Sequence, residues 1–334
     1  MTGLAAIGEM RRALRPIAAV CLALSGLAAP MPALAQAWPT RTVTFVIPFG
    51  PGNALETLGR PVLEQLSARL GQPCIVENRA GAGGSTGAAQ VARAPADGYT
   101  VLFHSTTLAI NQSFHSNRTY DALVDFIPVI PLGLQPTLLI TASGKGIGNA
   151  ADLIAAAKAR PGTMNFASAG PGSTSHLAAE RFRLAAGIEA KHVPFRAPSD
   201  ALTEVITGRI DFYFPPISVG LPLVKDGKLV PLAVSTRSRS TALPDVPTST
   251  ELGLKNSAFE FWIGFFLPAG TPREIVTRLH TETQSVLETP AMRERMRTFG
   301  YEPIKSSPEQ FATLFREEVE ELARSMKAAG ITPN

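Results

Sequence analysis

The strongest indication of the fold is the segment MNFASAGPGS at residues 164–173, which reads as a short strand, a Gly-Pro-Gly turn and the start of a helix. Ser173 is a favoured N-cap residue, and the helical spacing after it runs to Gly187. The segment FVIPFGPGN at residues 45–53 has the same order, with Asn53 as the N-cap and a helix that ends at Gly71. This internal repeat predicts two lobes built on the same plan.

Each glycine turn places a helix N-terminus at the carboxyl end of a strand. Free backbone amides and a partial positive charge make such a helix end a binding site for anions, and open α/β sheets bind their ligands at this edge. A single turn of this kind is equally well explained as a plain connection between a strand and a helix. The pair of turns favours function, and we expect each lobe to contribute one anion-binding loop to a shared cleft.

The rest of the sequence indicates an α/β protein. Short β-branched runs alternate with amphipathic helical stretches, an order typical of parallel βαβ units rather than of a sandwich or a bundle. Strands are predicted at residues 42–47, 74–77, 100–103, 138–141, 164–167, 210–214 and 229–234. Helices are predicted at residues 54–70, 88–93, 152–160, 173–186 and 201–207, and the tail at 272–329 is mainly helical.

The composition excludes several classes of protein. Of 334 residues, 17% are charged and 45% hydrophobic, which is typical of a folded chain and not of a disordered one. The 31 Lys and Arg residues against 27 Asp and Glu give a formal charge of +4, spread along the chain, which argues against a nucleic-acid partner. Two cysteines, Cys21 and Cys74, exclude a disulfide framework. We expect Cys74 to be a buried small hydrophobe.

The first 35 residues have the layout of a secretory signal peptide. Arg11, Arg12 and Arg15 precede an apolar run at residues 17–29, which is too short to span a bilayer, and a pattern of small residues ends at Ala35. We expect cleavage after Ala35 and a soluble mature chain exported to the periplasm.

The sequence offers only weak candidates for catalysis. Ser168 lacks the first glycine of a Gly-x-Ser-x-Gly nucleophile elbow, and the histidine spacings match no metal site. His176 is expected to be a packed or capping residue rather than a base. The run Gly81–Gly84 lacks the lysine of a phosphate-binding loop. We therefore expect no enzyme, metal or cofactor; the alternative is an exported serine hydrolase that uses Ser168 or Ser173 with His176.

Ordered motifs along the whole mature sequence carry a family resemblance. They are Trp38–Arg41, Val46–Phe49, Gly71–Pro73, Val76–Gly84, Ala96–Thr100, Ser168–Ser173, His176–Leu177, His192–Phe195, Leu243–Thr248 and Pro268–Pro272. In these motifs the chain resembles the periplasmic solute-binding proteins of tripartite tricarboxylate transporters, the Bug (Bordetella uptake gene) family.

The resemblance implies a periplasmic-binding-protein type II (Venus flytrap) fold, with two α/β lobes around a central cleft. It also implies that the protein binds a small organic acid, a carboxylate or dicarboxylate, and delivers it to permease subunits in the membrane. We expect a monomer. In the family, one loop from each lobe holds the ligand carboxylate through backbone amides and water. The ligand-binding residues so implied are Phe49, Gly50, Gly52, Asn53, Ser105, Thr106, Ser168, Ala169, Gly170, Gly172, Ser173, Thr174 and Phe195.

Four positions differ from the family pattern and leave the identity of the ligand open. Asn53 and Glu56 stand in the usual Pro-Gly-Gly-x-x-Asp motif, and Phe195 and Ala197 stand in the usual Val-Pro-Tyr-x-Gly motif. Asn53 adds a side-chain amide near the first loop, with Glu56 as its capping partner, whereas Phe195 removes a phenol hydroxyl. Arg196 is a candidate partner for a second carboxylate, although loop arginines are usually solvated.

The expected lobe 1 comprises residues 38–136 and 262–334, and lobe 2 comprises residues 137–261. Hinge crossings are expected near residues 130–139 and 259–267, so that hinge closure brings Phe49 over the apolar part of the ligand. A different partner is also open: a membrane receptor, to which the protein would present its bound acid as a sensor.

Overall fold

A computed structural model describes residues 38–114, 119–255 and 257–328. The predicted signal peptide and its cleavage site after Ala35 lie outside these residues. Within the described ranges, no helix combines the length and the apolar character needed to cross a membrane.

The first sheet has five strands in the order β2-β1-β3-β10-β4. Strand β1 pairs in parallel with β2 and β3, whereas β10 runs antiparallel to both β3 and β4. The strands are β1 Val43–Ile47, β2 Cys74–Asn78, β3 Thr100–Ser105, β4 Phe126–Pro136 and β10 Glu260–Pro268.

The second sheet repeats this arrangement, with the order β7-β6-β8-β5-β9. Its strand β6 pairs in parallel with β7 and β8, and β5 runs antiparallel to β8 and β9. The strands are β5 Leu138–Ala142, β6 Met164–Ser168, β7 Ala190–Pro194, β8 Phe212–Tyr213 and β9 Leu229–Val234. The expectation of two α/β lobes on one plan is therefore confirmed. The expected parallel pairs are present in both sheets, and each sheet also has antiparallel pairs, because the strand that enters it from the other sheet runs against its neighbours.

Helices cover the sheets and link their strands. In the first lobe they are α1 Ala54–Leu70, α2 Ser85–Ala92, α3 Thr107–Phe114, α8 Arg273–Leu287, α9 Pro290–Thr298 and α10 Pro308–Ala328. In the second lobe they are α4 Ala150–Ala159, α5 Thr174–Ala186, α6 Pro198–Ile206 and α7 Ile217–Lys225.

Local sequence accounts for the two helices that follow the glycine turns. Asn53 Oδ1 accepts a hydrogen bond from the Glu56 N–H at 3.2 Å, and Ser173 Oγ accepts one from the His176 N–H at 3.3 Å, so both predicted N-caps are confirmed. Helix α1 ends at Gly71 (φ +71°) and α5 ends at Gly187 (φ +60°), left-handed conformations that glycine adopts without steric cost.

Each lobe has its own hydrophobic core. In the first lobe, the Phe265 ring lies 4.8 Å from Phe45 and 4.9 Å from Phe103, centroid to centroid. In the second lobe, one face of the sheet packs around Phe166 and Phe212, and the other face packs around residues that include Tyr213. These rigid cores fix the strand ends from which the site loops emerge.

The chain crosses between the sheets twice. It passes from β4 to β5 through Thr137, and it returns in the segment that precedes β10. The expected hinge regions fall on these strands, and the lobe boundaries given above stay a prediction.

Candidate ligand-binding site

The first site loop follows β1 and is held by an amide network around Asn53. The side chain of Asn53 is buried, and its Nδ2 donates to the carbonyl oxygen of Gly50 at 2.7 Å. Asn78 Nδ2 donates to the Phe49 carbonyl at 2.9 Å and to Glu56 Oε1 at 2.7 Å. The amide of Asn53 and the carboxylate of Glu56 therefore shape the loop. Glu56 Oε1 accepts from the side-chain amides of Asn53 and Asn78, a different contact from the bond to the Asn53 backbone N–H that a capping box has, so the capping role of Glu56 stays a prediction.

Phe49 lies at the tip of this loop with its ring buried. The ring stands edge-on to His104, with centroids 5.7 Å apart. His104 Nδ1 accepts the Ser105 N–H at 2.8 Å, and burial lowers the pKa of His104 to about 3, so this imidazole is neutral. Phe49 thus rests on an uncharged, fixed partner.

The second site loop joins β6 to α5 and is held by serine hydroxyls. Ser168 Oγ accepts the Gly170 N–H at 3.0 Å, and Ser175 Oγ accepts the Ala169 N–H at 3.0 Å. Gly170 has φ +107° and Gly172 has φ +73°, conformations that favour glycine. The loop is fixed by its own side chains before any ligand binds.

Two stacked histidines support this loop from behind. The rings of His176 and His192 are 4.2 Å apart; His176 Nδ1 accepts the Gly172 N–H at 3.3 Å, and Ser168 Oγ and His192 Nε2 share a hydrogen bond of 2.5 Å. Burial lowers the pKa of each histidine to about 4. His176 is a packed residue, as predicted, and Ser168 pairs with His192 instead of His176. Because Ser168 is fully buried, this pair does not present a nucleophile.

The two lobes meet directly beside the site loops. Thr107 Oγ1 and Thr174 Oγ1 lie 2.7 Å apart, and the Gly50 N–H donates to the Arg196 carbonyl at 3.4 Å. The turn at Gly83 rests on the second site loop so closely that a Cβ at Gly83 would lie 2.0 Å from the carbonyl oxygen of Pro171. The described molecule is therefore in a closed form.

A cavity of about 30 Å³ remains between the lobes. It has room for a water molecule. The N-termini of α1 and α5 both reach it, one from each lobe, and no charged side chain lines it. The lining residues are Phe49, Asn53, Ala54, Leu55, Ser105, Thr107, Ala169, Ser173, Thr174, Ser175, Pro198, Tyr213, Pro216 and Phe261.

Comparison with known proteins identifies the family. Residues 58–331 match the model of the "Tripartite tricarboxylate transporter family receptor". The chain belongs to this family. Its members are non-enzymatic, periplasmic solute-binding proteins.

Three proteins show how close the similarity is. The chain is 32% identical to "Protein BugT" of Bordetella pertussis over 313 residues, which is 93% of this chain and 95% of BugT. The structure "R. palustris Rpa4515 with adipate" is 33% identical with a TM-score of 0.86, over 89% of this chain and all of that one. The structure of MatC from Rhodopseudomonas palustris "with bound malate" is 28% identical with a TM-score of 0.83, over 86% of this chain and 99% of that one.

The structure of this receptor brings many of the predicted ligand-binding residues to the cavity. Those that line it are Phe49, Asn53, Ser105, Ala169, Ser173 and Thr174. Gly50, Gly52, Gly170 and Gly172 lie in the two loops that bear these residues. That each of them touches the ligand stays a prediction.

Three predicted residues lie behind the cavity. Ser168 bonds within its own loop. Thr106 bonds to β10, since its Oγ1 accepts the Trp262 N–H at 3.0 Å and its own N–H donates to the Trp262 carbonyl at 3.1 Å. Phe195 is half-buried and packs against the second-lobe core. Their place is one of support, and a ligand contact for them stays a prediction.

The sequence analysis missed several lining residues of the receptor. Thr107 and Ser175 each stand next to a predicted residue. Tyr213 is the last residue of β8. It pairs with Ala167 of β6, close to the start of the second site loop. Phe261 comes from β10, about 200 residues from the first loop, and has no local signal.

Arg196 and Cys74 have expected roles outside the set of ligand-binding residues. Arg196 is exposed and contributes only its carbonyl to the interlobe contact. Cys74 is half-buried, because it lies on the edge strand β2, so the expectation of a buried small hydrophobe is met only in part. Partial burial still raises the pKa of its thiol to about 11, which makes the thiolate scarce at neutral pH.

Proposed function

We propose that this receptor captures a small organic acid, of the carboxylate or dicarboxylate class, between its lobes and delivers it to a membrane permease of the tripartite tricarboxylate type. The observation that carries the proposal is the convergence of two helix N-termini, from α1 and α5, on one cavity. Each helix end carries a partial positive charge, so an anion placed between them is stabilised by both lobes.

The lining of the cavity fits an organic anion better than an inorganic one. Hydroxyl groups of Ser105, Ser173 and Thr174 supply hydrogen bonds at the helix ends. Apolar walls from Phe49, Leu55, Pro198, Pro216 and Phe261 suit a hydrocarbon segment. The adipate and malate bound by the two relatives belong to this class of ligand.

Ligand entry involves a movement of the lobes. Residues of both lobes line this cavity, so a dicarboxylate enters when the lobes separate and is enclosed when they close around it. Closure from both sides then removes the carboxylate from water and strengthens its hydrogen bonds. A ligand-dependent closed form is the shape that a permease would recognise.

The test uses the chain expressed with its own N-terminal segment and purified from the periplasm. Thermal unfolding is measured with succinate, malate, adipate and citrate, and with glucose and lysine as controls, and acids that stabilise are titrated by calorimetry. At a concentration of 100 Kd, binding adds about 2.7 kcal/mol of stability, so the melting temperature rises by several degrees. Stabilisation by glucose or lysine alone, with no effect of any acid, would refute the proposal.

A further inference from the structure

Tyr213 has a buried hydroxyl that the protein itself does not satisfy. The side chain is fully buried, and its Oη has no hydrogen-bond partner within the described residues. Ser175 Oγ is near enough to influence the phenol but does not meet the geometry of a hydrogen bond to it; this oxygen accepts the Ala169 N–H and lies 3.2 Å from Ser173 Oγ. Buried hydroxyls without a partner are uncommon and costly.

The position of this hydroxyl is fixed by the second-lobe core. Tyr213 pairs with Ala167 of β6 and with Ile140 of β5, and the body of its ring belongs to the core cluster that contains both. The residue lines the same cavity as Ser173, Thr174 and Ser175 at the N-terminus of α5. A rigid ring therefore holds the hydroxyl at the end of the helix where an anion would sit.

We propose that Tyr213 Oη donates a hydrogen bond to the ligand carboxylate that is bound at the N-terminus of α5. This assignment rests on the proposed function and specifies one of its contacts. Burial raises the pKa of the phenol well above its usual range, so the hydroxyl stays protonated and acts as a donor. A buried donor beside a helix N-terminus favours a carboxylate and disfavours an ammonium group at this end of the cavity.

The test is Tyr213→Phe, which removes only the oxygen atom. Because the hydroxyl has no hydrogen-bond partner among the residues that the structure describes, the ligand-free variant should melt at or above the wild-type temperature. Calorimetric affinity for whichever of succinate, malate, adipate or citrate binds the wild type should fall about tenfold or more, as for a hydrogen bond to a charged group. The matched control is Tyr99→Phe, because the Tyr99 hydroxyl accepts the Thr40 N–H at 3.0 Å on the exposed surface. Its affinity should equal that of the wild type.

Each other outcome counts against the proposal. Affinity of Tyr213→Phe within twofold of wild type removes Tyr213 from the ligand contacts, while the proposed function stands. A lowered melting temperature of the ligand-free variant shows that the hydroxyl is bonded within the protein, which also overturns the assignment. If the wild-type chain binds none of the four acids, the proposed function fails first, and the Tyr213 assignment fails with it.

Discussion

Gly83→Ala should prevent the lobes from closing. The added Cβ would lie 2.0 Å from the carbonyl oxygen of Pro171 and 3.1 Å from its carbonyl carbon, across the interlobe contact. Non-bonded contacts of a Cβ below 3.0 Å are essentially never seen, so the two loops must separate by at least 1 Å. The turn has little freedom to give way, because Asn111 Nδ2 holds the Gly83 carbonyl at 3.1 Å.

The cost of this separation can be worked from the contacts that it breaks. The Thr107–Thr174 hydroxyl pair belongs to the same interface, and 1 Å of added distance stretches its 2.7 Å contact beyond hydrogen-bond range. A ligand held by one lobe also loses its contacts to the other. Two lost hydrogen bonds to a charged ligand amount to about 3–6 kcal/mol, which corresponds to a loss of affinity of about a hundredfold or more.

Backbone strain needs a separate control, because Gly83 has φ +59°. Alanine in this left-handed region costs about 1–2 kcal/mol wherever it stands. Gly187 is the matched position: it has φ +60°, and an added Cβ there meets nothing within 4 Å. Both Gly83→Ala and Gly187→Ala should therefore lower the free energy of unfolding in urea by a similar amount.

Only Gly83→Ala should lose affinity in calorimetry with a binding acid. Small-angle scattering with the acid present should show a larger radius of gyration for Gly83→Ala than for the wild type. If Gly83→Ala binds as tightly as Gly187→Ala and reaches the same compact form, the interlobe contact at Gly83 does not control closure, and the reasoning from the Cβ position fails.

Three further predictions concern the loops and their supports. Ser173→Ala removes the N-cap of α5, so it should lower the free energy of unfolding by about 1 kcal/mol and ligand affinity about fivefold. Asn149→Ala removes the N-cap of α4 and should lower only the free energy of unfolding. Equal affinities for the two variants would contradict a ligand role for Ser173. Histidine in the unfolded chain binds a proton near pH 6.5, whereas His176 in the folded chain binds one only near pH 4, so the free energy of unfolding should be highest above pH 6.5 and fall as the pH drops from 6.5 to 4, by up to about 1.4 kcal/mol per pH unit for this residue. His176→Gln should make this fall less steep when the free energy of unfolding is measured in urea at each pH. An unchanged pH dependence would contradict the burial of a neutral imidazole. Arg196→Ala should bind ligand within twofold of wild type by calorimetry, because the side chain is exposed and the carbonyl that meets Gly50 is retained, and a tenfold loss would restore Arg196 as a carboxylate partner.

The parts of the site that sequence predicts are those that short segments encode. An N-cap, a glycine at a helix end and a strand that precedes a glycine turn are all local patterns, so Asn53, Ser173, Gly71 and Gly187 are found in their predicted roles. The internal repeat predicts two lobes for the same reason, because two similar segments form two similar strand–turn–helix units. The structure brings the N-termini of both helices to one cavity.

The parts that sequence does not predict are contributed by distant segments. Strand β10 supplies Phe261 to the cavity and pairs antiparallel with β3, but its sequence gives no sign of its partner. The bond between Ser168 and His192 depends on the pairing of β6 with β7, which brings together residues 24 positions apart. Tyr213 acquires its place only because β8 lies beside β6. Such contacts are set by tertiary packing.

The glycine run Gly81–Gly84 shows how a motif can be essential without binding a ligand. It lacks the lysine of a phosphate-binding loop, and none of its residues lines the cavity. Instead, Gly83 lies against the second site loop: a Cβ at Gly83 would lie 2.0 Å from the Pro171 carbonyl oxygen, and a Cβ at Gly170 would lie 3.3 Å from the Gly83 nitrogen. Because the second site loop also carries the helix end that faces the cavity, contact at Gly83 and enclosure of the ligand must occur together. We therefore expect substitution of Gly83 to weaken all bound acids alike, whereas changes at Phe49 or Phe261 should alter which acid is preferred.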